Sequence, residues 1–100
     1  MKEHLLAPEV ESELDGIWLY VASRSDSIEI ADRVIDNITD RFRLIANNPY
    51  IGRRRDEDLR PGLRSFPADD YIILYRIEAD AVLILHVVHG SRNLKALLGE

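Results

Sequence analysis

The sequence predicts an α+β domain in the order β-α-α-β-β-β, a helical hairpin packed on a small, mostly antiparallel sheet. Three observations carry this. Residues 9–47 hold two stretches with apolar residues at three-and-four spacing, separated by a short polar break. After Pro49 the period changes, and residues 71–77 and 81–88 become rich in aliphatic and aromatic side chains. At 100 residues there is length for one domain core and not for two, so residues 1–100 read as a single domain.

In chain order, residues 3–7 read as a short strand stopped by Pro8, whose ring fits the first turn of a helix. From Glu9 the pattern is helical. Val10, Leu14, Ile17, Trp18 and Val21 share one face as the buried stripe. Glu9, Glu11, Glu13 and Asp15 fill the rest, near the positive end of the helix dipole. Ser23 to Ser27 is a polar break, and Ser27 or Asp26 caps a second helix running to about Asn47. Ala31, Val34, Ile35, Ile38, Phe42 and Ile45 give that helix its apolar face, with Glu29 and Arg33 as an i,i+4 pair. Asn47-Asn48-Pro49 ends it, because proline disfavours helix in the residue before it. Two amphipathic helices around so short a break imply an antiparallel hairpin.

Residues 50–62, with glycines, a proline and a run of charges, read as a loop. Leu63 to Pro67 is a short strand. Residues 71–77 and 81–88 are apolar at odd and even positions alike, as expected of strands covered on two faces. Residues 78–81 make the turn between them. In the simplest register Ile73 lies beside His86, and His86 shares a face with Val82, Ile84 and Val88. The tail from Ser91 forms a last helical turn or two.

Composition excludes several classes. There is no cysteine, hence neither disulfides nor zinc–thiolate sites, and His86 and His89 are three apart, pointing to opposite faces of a strand. No metal and no cofactor is expected. No apolar stretch approaches the roughly 20 residues that span a bilayer. Met1-Lys2-Glu3-His4 lacks the apolar core of a secretory signal, which makes a cytoplasmic protein the expectation. The formal charge of −5 argues against a general nucleic-acid binder, so no stable nucleic-acid binding is expected of the chain alone. The charge is uneven. Residues 1–50 carry ten acids against five Lys/Arg, whereas residues 51–100 carry eight of each. Arg53, Arg54 and Arg55 form a run, followed by Arg60 and Arg64. Such a run reads first as a solvated loop neutralised by Asp56, Glu57 and Asp58. It becomes a candidate for carboxylate or phosphate recognition if the fold sets it beside a site.

Four stretches in the second half are more specific. They are Pro49-Tyr50-Ile51-Gly52-Arg53, Leu59-Arg60-Pro61-Gly62-Leu63-Arg64-Ser65-Phe66-Pro67, Tyr71-Ile72-Ile73-Leu74-Tyr75-Arg76 and Val87-Val88-His89-Gly90-Ser91-Arg92. In order, spacing and residue type they resemble ParE-like toxins of the RelE/ParE superfamily, and the stretch from Glu13 to Tyr20 resembles that family's opening helix. The resemblance covers nearly the whole chain. It implies the β-α-α-β-β-β fold and a bacterial toxin neutralised by a small ParD-like antitoxin with a DNA-binding N-terminus. It also implies two targets of different kinds. ParE-like members poison DNA gyrase without being enzymes, and RelE-like members cut messenger RNA on the ribosome. An inactive relative that only binds its partner is the third reading.

RNA cleavage through the 2′-hydroxyl needs a base, a proton donor and cations on the phosphate. Arg64, Tyr75, Arg76, His86, His89 and Arg92 are the available groups, and a nuclease would draw on Arg64, Arg76, His89 and Arg92. Against this, nuclease-type relatives carry an arginine where this chain has Ile72, and lysines or an acid where it has Leu63-Arg64-Ser65-Phe66. Arg92 matches a nuclease-type arginine, but Leu98 falls where many such members have tyrosine. His86 reads as a partly buried, hydrogen-bonded histidine, and His89 as a strand-end residue fixing the C-terminal segment. The balance favours a non-enzymatic gyrase poison. Its target-binding candidates are Arg53, Arg54, Arg55, Arg60, Arg64, His89 and Arg92, with the tail from Gly90 to Leu98, and deleting residues 91–100 is expected to abolish toxicity while leaving folding and antitoxin binding mostly intact. Trp18, Leu19 and Tyr20, with a groove between hairpin and sheet, are the candidates for antitoxin binding by helix-in-groove docking or strand addition.

Overall fold

The computed structural model describes residues 3–99. Strand β1 (Glu3–Leu6) leads into helices α1 (Pro8–Ser25) and α2 (Ile28–Asn47). A 3-10 turn (Pro49–Ile51) then precedes β2 (Arg53–Arg54), β3 (Leu63–Ala68), β4 (Tyr71–Ile77), β5 (Ala81–His89) and the short helix α3 (Leu94–Leu97). The strands form one sheet in the order β1-β5-β4-β3-β2, in which β1 runs parallel to β5 and the other neighbours are antiparallel. The α+β architecture is thus the one the periodicities predict. Among the described residues no helix is long and apolar enough to cross a membrane.

Local chemistry explains the helix boundaries. Pro8 occupies the first turn of α1, with Glu9 and Glu11 beside it. Of the two candidate caps for α2, Ser27 is the one used, its hydroxyl accepting from the Ile30 N–H at 3.2 Å. Asp26 instead takes the left-handed conformation (φ 54°) that turns one helix into the next. At the far end Asn48 donates its backbone N–H to Leu44 and Ile45, closing α2 before Pro49.

Both faces of the sheet are covered, as the apolar runs in β4 and β5 require. Val10, Ile17, Ile38, Phe42 and Ile45 from the hairpin bury against Ala68, Ile73, Tyr75, Val82, Ile84 and Val87. On the opposite face Leu59, Leu63 and Leu74 form a second cluster, covered by Leu94, Leu97 and Leu98 of the tail.

Four details depart from the sequence reading. Trp18 does not join the buried stripe. It is half-buried, and its indole N–H reaches across the hairpin to Asp32 Oδ1 at 2.8 Å, because this polar edge needs a partner that the core lacks. Residues 50–62 are not all loop, since Arg53 and Arg54 pair with Ser65 and Arg64 as an edge strand. Charged side chains suit such an edge by discouraging pairing with another chain. The β4–β5 register also shifts. Tyr75 faces Ile84 while Leu74 faces His86, leaving Leu85 as an extra residue. This bulge inverts the alternation, so Ile73 lies opposite Val87, not His86, and Val87 takes the helix-facing place that Val88 was expected to share. The last departure is in the tail. Its leucines cover the second cluster, so removing residues 91–100 would uncover Leu59, Leu63 and Leu74 at a cost in stability.

Two polar contacts hold this frame. β1 pairs with β5 only as far as Ile84, whose carbonyl accepts from the Ala7 N–H at 2.8 Å. Beyond it, the Glu13 carboxylate takes the place of the missing strand. It accepts from the Val87 N–H at 2.9 Å and lies 2.8 Å from His86 Nδ1, both side chains being largely buried. The second contact is Tyr75, fully buried, whose hydroxyl donates to the Pro49 carbonyl at 2.7 Å and accepts from the Gly52 N–H at 2.9 Å. Burial pushes its phenol above the usual tyrosine value, in keeping with a hydroxyl that donates. The chain passes so close there that a Cβ on Gly52 would lie 2.7 Å from the Tyr75 ring and 2.9 Å from the Ser65 carbonyl.

Replacing Tyr75 by phenylalanine strands both backbone groups. Tyr75→Phe is expected to cost about 1–3 kcal/mol, measured by chemical denaturation. Gly52→Ala forces the turn off the sheet, with an expected loss of about 1–3 kcal/mol and a lower melting temperature by calorimetry.

Candidate functional site

One face of α1 and the ends of β4 and β5 enclose a cleft of about 430 Å³. Glu13, Gly16, Ile17 and Tyr20 recur at i, i+3, i+4 and i+7, which brings them to one side of the helix. Opposite them lie Tyr71, Val87, Val88 and His89, with Ser91 and Arg92 at the mouth. Glu13 is committed to Val87 and His86, so it builds the floor and does not face an occupant as a free acid. Tyr20 is 56% exposed and forms one wall. Tyr71, whose phenol burial pushes above its ordinary pKa, forms the other.

Gly16 is informative. A glycine inside a helix costs about 1 kcal/mol relative to alanine. Nothing lies within 4 Å of where its Cβ would be, so packing in this chain does not call for it. It leaves an open strip of backbone along the cleft.

At the mouth, His89 Nδ1 accepts from the Ser91 N–H at 3.1 Å and lies 2.8 Å from the Ser91 hydroxyl, while its ring meets Tyr71 edge-on at 5.6 Å. With Nδ1 accepting, the proton of the neutral ring sits on Nε2. The Gly90 N–H donates to the Asp70 carbonyl at 2.8 Å and the Arg92 N–H to the His89 carbonyl at 2.9 Å, fixing the direction in which the chain leaves the sheet. The arrangement offers apolar surface, two aromatic walls and an exposed guanidinium.

The other candidate residues are scattered. Leu19, 60% exposed, lies on the outward side of α1, and Trp18 is engaged with Asp32, so of the three antitoxin candidates only Tyr20 lines the cleft. Arg55 makes a bidentate contact with Asp58 and reaches Ser65 Oγ at 3.0 Å, a structural pin. It holds the Asp58 carboxyl below the usual range. Arg54 pairs with Asp56 at 2.8 Å, and Arg60 donates to the Leu98 carbonyl at 3.0 Å. Arg53 is exposed on the edge strand. Arg64 donates to the Gly52 carbonyl at 2.8 Å, and Arg76 pairs with Glu78 at 3.1 Å.

The four residues a nuclease would draw on are therefore not one constellation. Arg64 faces Tyr75 and Arg76 faces Leu63, at one end of β4, whereas His89 faces Tyr71 at the other. Five strand steps separate the two ends, about 17 Å at 3.4 Å per residue. Among the described residues no group of three His, Cys, Asp or Glu side chains could hold a metal. Glu13 and Gly16 escaped the sequence reading as site residues, although their spacing with Ile17 and Tyr20 was the signal that could have found them.

Comparison with known proteins agrees with this fold. The family described as ParE toxin of type II toxin–antitoxin system, parDE, matches residues 5–94. Toxin ParE3 of Caulobacter vibrioides is 34% identical over 91 residues, covering 91% of this chain and 89% of its own. Toxin RelE3 of the same organism is 34% identical over 90 residues, covering 90% and 96%. A solved structure of the chromosomal ParDE TA system from P. aeruginosa shares the fold, with a TM-score of 0.76 at 16% identity over 89% of this chain and 96% of that one. With the family matched over nearly its whole length, this chain belongs to the ParE toxins of type II toxin–antitoxin systems.

Proposed function

We propose that this toxin is a non-enzymatic inhibitor of DNA gyrase, kept inactive by a cognate antitoxin whose segment lies in the cleft beside Gly16 and Tyr20. The observation that carries the non-enzymatic reading is the dispersal of the catalytic candidates. Arg64 and Arg76 stand at one end of β4 and His89 at the other. Phosphoryl chemistry requires its base, acid and cations on one phosphate. Tyr75 adds no base, because its buried hydroxyl is committed to the Pro49 carbonyl and the Gly52 N–H. Leu98, standing where nuclease relatives carry a tyrosine, packs against Leu59, Leu63 and Leu74.

Cleavage of messenger RNA on the ribosome is the second reading, and the 34% identity to a protein named RelE3 is the observation in its favour. That identity equals the one to ParE3, so overall likeness does not separate the two. The local geometry favours binding.

Purified protein added to gyrase and relaxed plasmid is expected to suppress supercoiling or trap cleavage complexes, while ribosomes programmed with a defined message stay uncut. Cuts in the ribosomal A site with gyrase unaffected would overturn the proposal. For the antitoxin, Tyr20→Ala is expected to weaken binding by more than about 1 kcal/mol, as for an interface anchor, and Leu19→Ala to leave it nearly unchanged. Calorimetric titration of both variants checks this, and equal losses would displace the antitoxin from the cleft.

A further inference from the structure

At the other end of the sheet, a second surface is built with no evident role in folding. Tyr50 is 72% exposed, the most exposed large apolar side chain described, and Ile51 beside it is 44% exposed. Loose turns often expose such residues, but this one is fastened from three sides. The Tyr75 hydroxyl holds the Pro49 carbonyl and the Gly52 N–H. Asn48 closes the end of α2. Arg64 donates to the Gly52 carbonyl at 2.8 Å and to the Tyr50 carbonyl at 3.4 Å, with its guanidinium 5.1 Å from the Tyr50 ring centre. The ring is thus presented outward on a rigid base, with Arg54 and Arg64 alongside it in a shallow hollow. Rigid tyrosine next to arginine is the composition of an interface anchor, because little conformational freedom is lost when it docks.

We propose that this Tyr50 platform is the surface with which the toxin grips its target, and that the target presents an acidic protein surface with an apolar recess for the ring. This rests on the reading that the chain acts by binding a protein and not by cutting RNA. Arg54 and Arg64 set against the single acid Asp56 leave the hollow with one formal positive charge in excess, in a chain whose net charge is −5, and that excess favours an acidic partner. Nucleic acid is the poorer occupant, since the exposed Tyr50 and Ile51 offer apolar area that a phosphate backbone does not match. The platform and the cleft lie at opposite ends of β4, so the two partners are separable by substitution.

The test compares the unaltered toxin with Tyr50→Ala and Tyr50→Phe in gyrase supercoiling, in growth arrest without antitoxin, and in antitoxin binding. Tyr50→Ala is expected to need at least about tenfold more protein for half-inhibition, the loss expected of a central anchor. Tyr50→Phe should restore most of it. Antitoxin affinity should stay unchanged, and the melting temperature should shift by about 4 °C or less, since the ring is exposed. Inhibition and growth arrest undiminished in Tyr50→Ala would overturn the platform while leaving the gyrase reading intact. If the unaltered toxin arrests growth without touching gyrase, and Tyr50→Ala abolishes the arrest, gyrase is the wrong target and the platform stands. Loss of antitoxin binding in Tyr50→Ala, or plasmid binding without gyrase that depends on Tyr50, would give the surface to another occupant and refute the proposal. A chain that neither arrests growth nor inhibits gyrase overturns the toxin reading and the platform with it.

Discussion

Strands β4 and β5 form a ribbon that is apolar on both sides, and the rest of the chain is arranged by the need to cover it. The hairpin covers one face with Ile38, Phe42 and Ile45. The other face is left to a loop and a single turn of helix, which bring Leu59, Leu94, Leu97 and Leu98 over Leu63 and Leu74. A tail that looks dispensable in sequence thereby packs against the core. With both faces used, the ends of the ribbon and the outer side of the hairpin remain for recognition, and the two candidate surfaces lie at those ends.

The bulge at Leu85 links the frame to the cleft. By adding one residue to β5 it turns Val87 toward the hairpin and leaves the Val87 N–H on an edge that β1 no longer covers. Glu13 satisfies that donor from α1 and at the same time engages His86. A buried donor without a partner costs about 1–3 kcal/mol, so the carboxylate is needed where the strand ends. Its position also locks the orientation of α1 and turns Gly16 and Tyr20 toward His89 and Arg92.

Much of the architecture was legible because hydrophobic period is a local property. The three-and-four spacing of Ala31 to Ile45 and the solid apolar runs after Tyr71 each point to one element type and one packing arrangement. The bulge was not legible, because an inserted residue changes which side chains face inward without changing composition. Nor was the division of labour among the arginines. Arg53, Arg54 and Arg55 are identical in sequence, yet one is exposed, one pairs with Asp56 and one is pinned to Asp58 and Ser65. Only the edge strand they enter separates them. Tyr50 escaped for a related reason. An exposed tyrosine in a turn is ordinary until the turn is seen to be held by Tyr75 on the Pro49 carbonyl and by Arg64 on the Tyr50 carbonyl, contacts spanning 26 and 14 residues of chain.

Whether this toxin binds or catalyses is the point on which the account stands. Titrating purified protein against a fixed amount of its target and following the effect over time tests that most directly. A binder gives an effect whose extent tracks the ratio of toxin to target and then stops changing. A small fraction of an equivalent that goes on to inactivate all of the target would mean turnover, and would contradict the account.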